Sequence, residues 1–303
     1  MKDKKRNFAE NWPSGLLGQS GLLGLISQIS QMGLIRNNQP RIMNCKALFF
    51  DIDGTLVSFN THSIPQSTVD ALTEAKRRGV GIYISTGRPK RLINNLGAIE
   101  HLIDGYITTN GALCVVGDEV VSCLPIPAGE ARALVEKSDE MKFAMMLIGE
   151  RDLTVCNPTP DVDRIYRGML GVGYLGEDVR REEVLSQRII QMTPIIDEAT
   201  ERQLMPLLPG CVSARWYYEF TDITALGADK GSALHTMAAR LGLDIGETMA
   251  FGDGGNDKTI IREAGVGVAM GNAGEDVKAL ADYVTSSVDE GGVAAALSRF
   301  GII

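Results

Sequence analysis

The sequence predicts an α/β fold, a doubly wound parallel sheet with a smaller α+β module inserted into it. Three observations carry this reading. The run at 46–50, Lys-Ala-Leu-Phe-Phe, is apolar on both faces, as a strand covered by helices on each side must be. Strand-like and helix-like stretches alternate from 46 to 108 and again after Lys230, the pattern of βα units wound into one parallel sheet. Between these halves, after Pro125 and Pro127, the texture changes to a mixture of helices and paired strands that runs to about Phe220.

The elements follow in order. Residues 1–42 differ from everything after them: basic at Lys2 to Arg6, Gly-Leu rich from Gly15 to Ile35, then polar. Gly18, Gln19, Ser20, Gly21 and Gly24 interrupt what would be the apolar core of a signal peptide. A flexible, dispensable extension is expected there, with Met43 as an alternative start. After the strand at 46–50, residues 65–78 carry Val69, Leu72 and Ala75 at helical spacing, with Lys76 to Arg78 in the last turn and Gly79 closing it. Strands are expected at 80–84 and 102–108, and a hairpin at 112–124 turned by Gly117-Asp118.

The inserted module is expected to hold helices at 130–140, 161–169, 182–187 and 198–208. Its strands are placed at 143–148, 153–156, 188–192, 212–216 and 218–223. The alternation then resumes: helix 232–241 ending at Gly242, strand 248–251, helix 258–263, strand 266–270, helix 275–280, strand 283–285 and helix 292–299. The organisation is thus an extension (1–42), a core domain (43–125 with 224–303) and an inserted domain (126–223).

Composition narrows the partners. Thirty Lys plus Arg against 38 Asp plus Glu leave a net charge of −8, and no long basic run exists beyond Lys2 to Arg6. Nucleic acid is not an expected partner. Five cysteines, odd in number and without metal spacing, read as reduced thiols of a cytoplasmic protein. His62, His101 and His235 are too scattered for a histidine metal site. No window offers the roughly 18 consecutive apolar residues of a membrane helix. The chain is expected to act as a monomer or homodimer.

Chemistry concentrates in four loops. Asp51 and Asp53 are spaced i, i+2, so in an extended backbone they point to one side. Two anions that close repel, and either one is protonated or a cation lies between them; an Asp-Gly turn with capping carboxylates is the plainer alternative. Ser85-Thr86-Gly87-Arg88-Pro89 ends the second strand, with Pro89 placed to open a helix whose free amides beside Thr86 would attract phosphate. A simple Thr cap fits the same residues. Lys230 lies near a helix start, and the loop Gly252-Asp253-Gly254-Gly255-Asn256-Asp257 holds two more carboxylates. Ligands of such sheets bind beyond the carboxyl ends of the strands, where Asp51, Thr86 and Asp253 are all expected.

That set suits Mg2+, which takes one or two carboxylates and completes its shell with water and phosphate. Asp51 and Asp253 would supply them. Asp51 would attack phosphorus, Asp53 would protonate the leaving oxygen and later activate water, and Lys230 would neutralise phosphoryl oxygens. Gly171-Val172-Gly173-Tyr174-Leu175-Gly176 formally matches a nucleotide-binding glycine pattern, but no strand precedes it. Trp216, Tyr217 and Tyr218 read as packing residues.

In combination the four loops resemble the haloacid dehalogenase-like hydrolase superfamily. Asp51-Ile52-Asp53-Gly54-Thr55 is similar to its first motif, Thr86 to the second, Lys230 in Gly227-Ala228-Asp229-Lys230-Gly231 to the third, and Gly252 to Asp257 to the fourth. The insertion resembles the class IIB cap of Cof-type phosphatases, as do Thr109-Asn110-Gly111-Ala112 and Met270-Gly271-Asn272-Ala273. The resemblance spans 43–303. It departs in two places: no helix is evident before the third motif, and the N-terminal extension has no counterpart.

The resemblance implies a Rossmann-like core with a cap and a Mg2+-dependent phosphatase of small phosphorylated metabolites. Asp51 is implied as nucleophile and Asp53 as general acid/base, with Thr86 and Lys230 completing the catalytic set. The metal would be held by Asp51, the backbone carbonyl of Asp53, and Asp253, supported by Asp257 and Asn272. Gly54, Thr86, Gly87, Asn110, Lys230 and Asn256 would contact phosphate or substrate. Asp53 favours ester hydrolysis over the dehalogenase and ion-pump branches, which lack it. A sugar phosphomutase of the same superfamily, or a catalytically silent metabolite-binding regulator, are the alternatives; the intact acids and lysine speak against the second.

Overall fold

The computed structural model describes residues 44–303; the expected extension at 1–42, and Met43, lie outside the described residues. Five strands precede the insert: β1 (Ala47–Phe50), β2 (Gly81–Ser85), β3 (Gly105–Thr108), β4 (Leu113–Val116) and β5 (Glu119–Cys123). The insert contributes β6 (Met145–Gly149), β7 (Leu153–Cys156), β8 (Ile189–Pro194), β9 (Cys211–Tyr217) and β10 (Phe220–Ala225). β11 (Thr248–Gly252), β12 (Val266–Ala269) and β13 (Tyr283–Val284) follow.

Eight strands form one sheet in the order β13-β12-β11-β1-β2-β3-β4-β5. Pairing is parallel from β13 to β3, and antiparallel only in the β3-β4-β5 extension. The chain winds outward from β1 through β2 and β3, then returns to the other flank of β1 as β11. The crevice between β1 and β11 is therefore the switch point where such sheets bind ligands.

Both faces of β1 are covered, as its unbroken apolar run requires. Leu48 and Phe50 pack with Leu72 and Ala75 of α1 (Gln66–Arg77), and with Val293 and Leu297 of the last helix. Ala47 and Phe49 pack on the opposite side, against Leu234 and Met237 of a helix that starts at Lys230.

The insert is an antiparallel sheet of order β7-β6-β8-β10-β9. One face is covered by α2 (Ala128–Met141), α3 (Arg181–Leu185) and α4 (Glu198–Leu204), through residues such as Leu134, Val184 and Leu204. On the other face Met146, Ile148, Ile190 and Phe220 join one apolar cluster with Leu92, Ala112, Leu113 and Val115 of the larger sheet's side. That shared cluster seats the insert over the carboxyl edge of the larger sheet. The fold class is the one the alternation predicts, α/β with an α+β insert.

α5 (Lys230–Leu241) begins two residues earlier than the apolar spacing predicts, because Asp229 caps it by accepting from Gly231 N and Ser232 N at 2.9 and 3.0 Å. α6 (Lys258–Glu263), α7 (Glu275–Lys278) and α8 (Gly292–Arg299) complete the fold.

Three expectations need correction. Pro89 opens no α-helix: Lys90–Leu92 is a single 3-10 turn, and Ile93 is already extended. Asn94, Asn95 and Gly97 follow, residues with little helical preference. The strand expected at 102–108 begins only at Gly105, because Glu100–Leu102 is a 3-10 turn. The helical stretch expected at 161–169 is present, as a short α-turn, Pro160–Val162, running into a π-helical stretch, Asp163–Met169. Tyr218 is 72% exposed at the β9–β10 turn, so it is not a packing residue, although its ring rests on Tyr217. All five cysteines carry free thiols. Among the described residues no helix is long and apolar enough to cross a membrane.

Candidate active site

Asp51 is the first residue beyond β1, and its N–H still donates to Phe251 O on β11 at 3.1 Å, which holds it at the switch point. Behind it the chain turns sharply: Leu56 N and Val57 N both donate to Ile52 O, and Gly54 adopts φ +89°. A Cβ at Gly54 would stand 2.2 Å from Asp253 Oδ2, so this turn requires glycine for both its conformation and its approach.

Lys230 organises the centre. Its side chain is wholly buried, and Nζ donates to Asp51 Oδ1 at 2.7 Å and to Asp257 Oδ1 at 2.6 Å. The second oxygen of Asp257 accepts from Asp253 N and Gly254 N at 3.0 and 2.9 Å, shaping the glycine-rich loop. Asp253 accepts from Thr55 Oγ1 at 3.0 Å and lies 3.3 Å from Asn272 Nδ2, which also donates to Gly54 O at 2.8 Å.

Carboxylate oxygens of Asp51, Asp253 and Asp257 all lie within 4.8 Å of one another. Their crowding has electrostatic consequences. Burial pushes the Asp51 carboxyl well above the usual range; Asp257 adds to the push, Lys230 opposes it, and Asp253 adds again. Burial and then Asp257 raise Asp253 to about 6, against the Thr55 hydrogen bond and Lys230. Burial works against charge on Lys230, yet Asp257 and Asp51 hold its pKa above the ordinary lysine value. Three carboxylates facing one ammonium leave a site that favours a further cation.

A second group lies one loop over. Thr86 Oγ1 accepts from Arg88 N at 3.1 Å, and Thr86 O accepts from Asn110 N at 3.1 Å. Thr109 and Asn110 both adopt left-handed backbone, a costly pairing for non-glycine residues of the kind found at functional sites. It brings Asn110 Oδ1 to 3.0 Å from Asn256 Nδ2, tying this loop to the one that carries Asp253. A Cβ on Gly87 would lie 3.0 Å from Asn110 Oδ1. Asp53 faces this group: Arg88 grips it with two bonds, Nε to Oδ2 at 2.7 Å and Nη2 to Oδ1 at 2.9 Å.

The sequence profile of haloacid dehalogenase-like hydrolases matches residues 48–297. The chain belongs to the haloacid dehalogenase-like hydrolase family. This hydrolase is similar to the solved HAD subclass IIB sugar phosphatase BT4131, at 47% identity and TM-score 0.78 over 85% of this chain and 100% of that one. It is similar to BT1666 of Bacteroides thetaiotaomicron, at 37% identity and TM-score 0.75, covering 89% of this chain and 99% of that one. YkrA of Bacillus subtilis (strain 168), which bears a phosphatase name, is 33% identical over 265 residues, 86% of this chain and all of its own. The protein is a phosphatase of subclass IIB, with a Cof-type cap.

The hydrolase brings Asp51, Asp253, Asp257, Lys230, Gly54 and Asn272 into one contact network, and Thr86, Gly87, Asn110, Asn256 and Asp53 into the neighbouring one. Two features differ from the sequence reading. Among the described residues no α-helix N-terminus stands beside Thr86, and its hydroxyl is engaged by the Arg88 amide. Asp257 does more than support, since it orients Lys230 and the loop together. Sequence reasoning gave no role to Arg88 or Thr55. Both lie within two residues of an assigned position, but their partners are 35 and 198 positions away.

Proposed function

We propose that this enzyme hydrolyses phosphate monoesters of small metabolites, sugar phosphates among them, with Mg2+ and through an aspartyl-phosphate on Asp51. The observation that carries the reading is the buried Lys230 bridging Asp51 and Asp257, with Asp253 completing a cluster of carboxylate oxygens at the switch point. The donors are hard oxygens, which suits Mg2+. Asp257 is committed to the Lys230 ammonium and two loop amides, whereas Asp253 meets only the uncharged side chains of Thr55 and Asn272 and Asp51 gives one oxygen to Lys230, so Asp51 and Asp253, with the Asp53 carbonyl, are the residues to hold the ion. When bound, Mg2+ screens the repulsion between the Asp51 carboxylate and an anionic phosphoryl group.

An Asp51 oxygen attacks phosphorus while Asp53 gives its proton to the departing ester oxygen. Asp53 then takes a proton from the water that attacks phosphorus, releasing phosphate and restoring Asp51. Lys230 keeps Asp51 oriented and offsets negative charge throughout. Thr86, Gly87, Asn110 and Asn256 border the space where phosphate and the adjoining part of the substrate would lie. The IIB sugar phosphatase BT4131, at 47% identity, supports sugar phosphates as the first class to test.

The test is a phosphate-release screen over phosphorylated metabolites, with and without Mg2+, using Asp51→Asn as control. Metal-independent release, or full activity in the control, would sink the mechanism. Turnover only with a bisphosphate activator, without free phosphate, would assign phosphoryl transfer between sugar positions instead. Asp53→Asn is expected to slow turnover while leaving Mg2+ binding nearly intact, in contrast to Asp253→Ala.

A further inference from the structure

The Arg88–Asp53 fork is one end of a short piece of chain whose other end is fastened to the cap. Three residues after Arg88, Arg91 donates from Nε to Arg151 O at 2.6 Å and from Nη2 to Asp152 Oδ1 at 2.9 Å. Arg151 and Asp152 form the turn between β6 and β7, on the cap. Asn94 Nδ2 donates to Gly171 O, also on the cap, at 2.7 Å. Between them Leu92 is buried in the cluster that contains the cap residues Ile148, Leu153 and Ile165.

The stretch has little slack. Arg88 is tied back to the core by Thr109 N, which donates to Arg88 O, and by its fork on Asp53, while its Nη1 folds onto Leu92 O of the same stretch at 3.4 Å. Three residues span at most about 11 Å when fully extended, and of these Pro89 is already extended while Lys90 and Arg91 belong to the 3-10 turn. A cap that moves by more than a few ångströms must therefore either break the Arg91 and Asn94 contacts or pull on the segment that aims Arg88.

We propose that Arg88 is a positioning residue for Asp53, and that Arg91 and Asn94 act through it, so that the seating of the cap sets the aim of the proton-transferring carboxylate. The proposal rests on the role given to Asp53 above. It assigns the fork a task that a point charge cannot perform: two parallel bonds fix the plane of the carboxylate, whereas a lysine would hold only its position. Proton transfer to the leaving oxygen needs that plane to be right. A cap that is not seated would leave Asp53 misaimed, with the ester open to water.

The experiment compares two esters in the full-length protein by single-turnover phosphoryl transfer to the enzyme. An alkyl phosphate needs a proton on its leaving oxygen; p-nitrophenyl phosphate, with its acidic leaving group, does not. Arg88→Ala is expected to slow transfer from the alkyl ester by about tenfold or more and from the nitrophenyl ester far less, with KM little changed. Arg88→Lys should recover only part of the loss. Arg91→Ala should show a smaller loss of the same selectivity and add nothing in the Arg88→Ala background, as residues acting in series do.

Equal slowing of both esters by Arg88→Ala, or full additivity of the two substitutions, would overturn the proposal. If the wild-type protein turns over no ester, the functional reading fails, and hydrogen exchange then decides the coupling alone. Faster exchange at residues 52–57 in Arg91→Ala would support it. Unchanged exchange there would refute it.

Discussion

Lys230 Nζ sits between Asp51 Oδ1 and Asp257 Oδ1, 2.7 and 2.6 Å away, with no part of the lysine side chain reaching water. One ammonium thus neutralises groups from two loops 206 positions apart in sequence. The site and the sheet edge share a single electrostatic support, and several consequences are measurable.

Lys230→Met keeps the length and apolar stem of the side chain and removes its charge. Two buried carboxylates are then left without their counter-ion, a change that typically costs about 3–5 kcal/mol. Urea denaturation of the metal-free protein at pH 8 is expected to show that loss. The loss should shrink at pH 5, where protonation relieves the unpaired charge. A change below about 1 kcal/mol at pH 8 would mean that water or rearrangement replaces the ammonium.

Asp253 carries a pKa of about 6 in the folded chain against 3.8 ordinarily. The raised value means that the fold binds this proton more tightly than the unfolded chain does. Its contribution to stability is therefore fully present below about pH 4 and is lost as pH rises through 6. A cation competes for the same oxygens, so the gain in Tm on adding Mg2+ is expected to be large at pH 7.5 and small at pH 5. Asp253→Asn should flatten that pH dependence, as differential scanning calorimetry would show.

Thr55→Val removes the hydroxyl that donates to Asp253 at 3.0 Å while keeping the shape of the side chain. That bond holds the Asp253 carboxyl down, so its titration, followed by carboxyl 13C shifts, is expected to move upward. Stability should fall by about 1 kcal/mol, with Mg2+ binding weakened severalfold at pH 6.5. An unmoved titration would show that the bond does not form in solution.

Gly54→Ala places a methyl group 2.2 Å from Asp253 Oδ2 on a backbone at φ +89°. Strain and displacement of the carboxylate act together here. A loss of about 1–3 kcal/mol is expected, with Mg2+ affinity reduced more than in Thr55→Val. Isothermal titration of the two variants side by side checks the order.

Much of this was legible in the chain itself. The apolar run before Asp51 and the alternation around it are local signals, and they bring three loops to one edge by topology alone. The glycines at Gly54 and Gly252 mark where a neighbouring carboxylate approaches the backbone closely. What stayed hidden depends on contacts between distant positions: the Arg88 fork on Asp53, the Thr55 bond to Asp253, and the way Asp257 shares Lys230. Proline marks a possible helix start but not a continuation, and Asn94, Asn95 and Gly97 supply none, so no α-helix follows Pro89. At Lys230 the Asp229 cap, rather than the apolar spacing, sets the start of the helix. In the insert, sheet order follows from long-range antiparallel pairing, which local periodicity does not report.

Among the described residues the larger sheet ends at two marginal strands, β13 and β5. β13 is only two residues long. β5 is kinked by a register shift against β4 and starts at Glu119, which Arg240 of α5 reaches across to engage. Shortness, a bulge and a paired charge are the devices that stop a free strand from templating another chain. A sheet this apolar at its centre is thereby a poor seed for edge-to-edge aggregation, even while its middle strands pass through exposed states during synthesis.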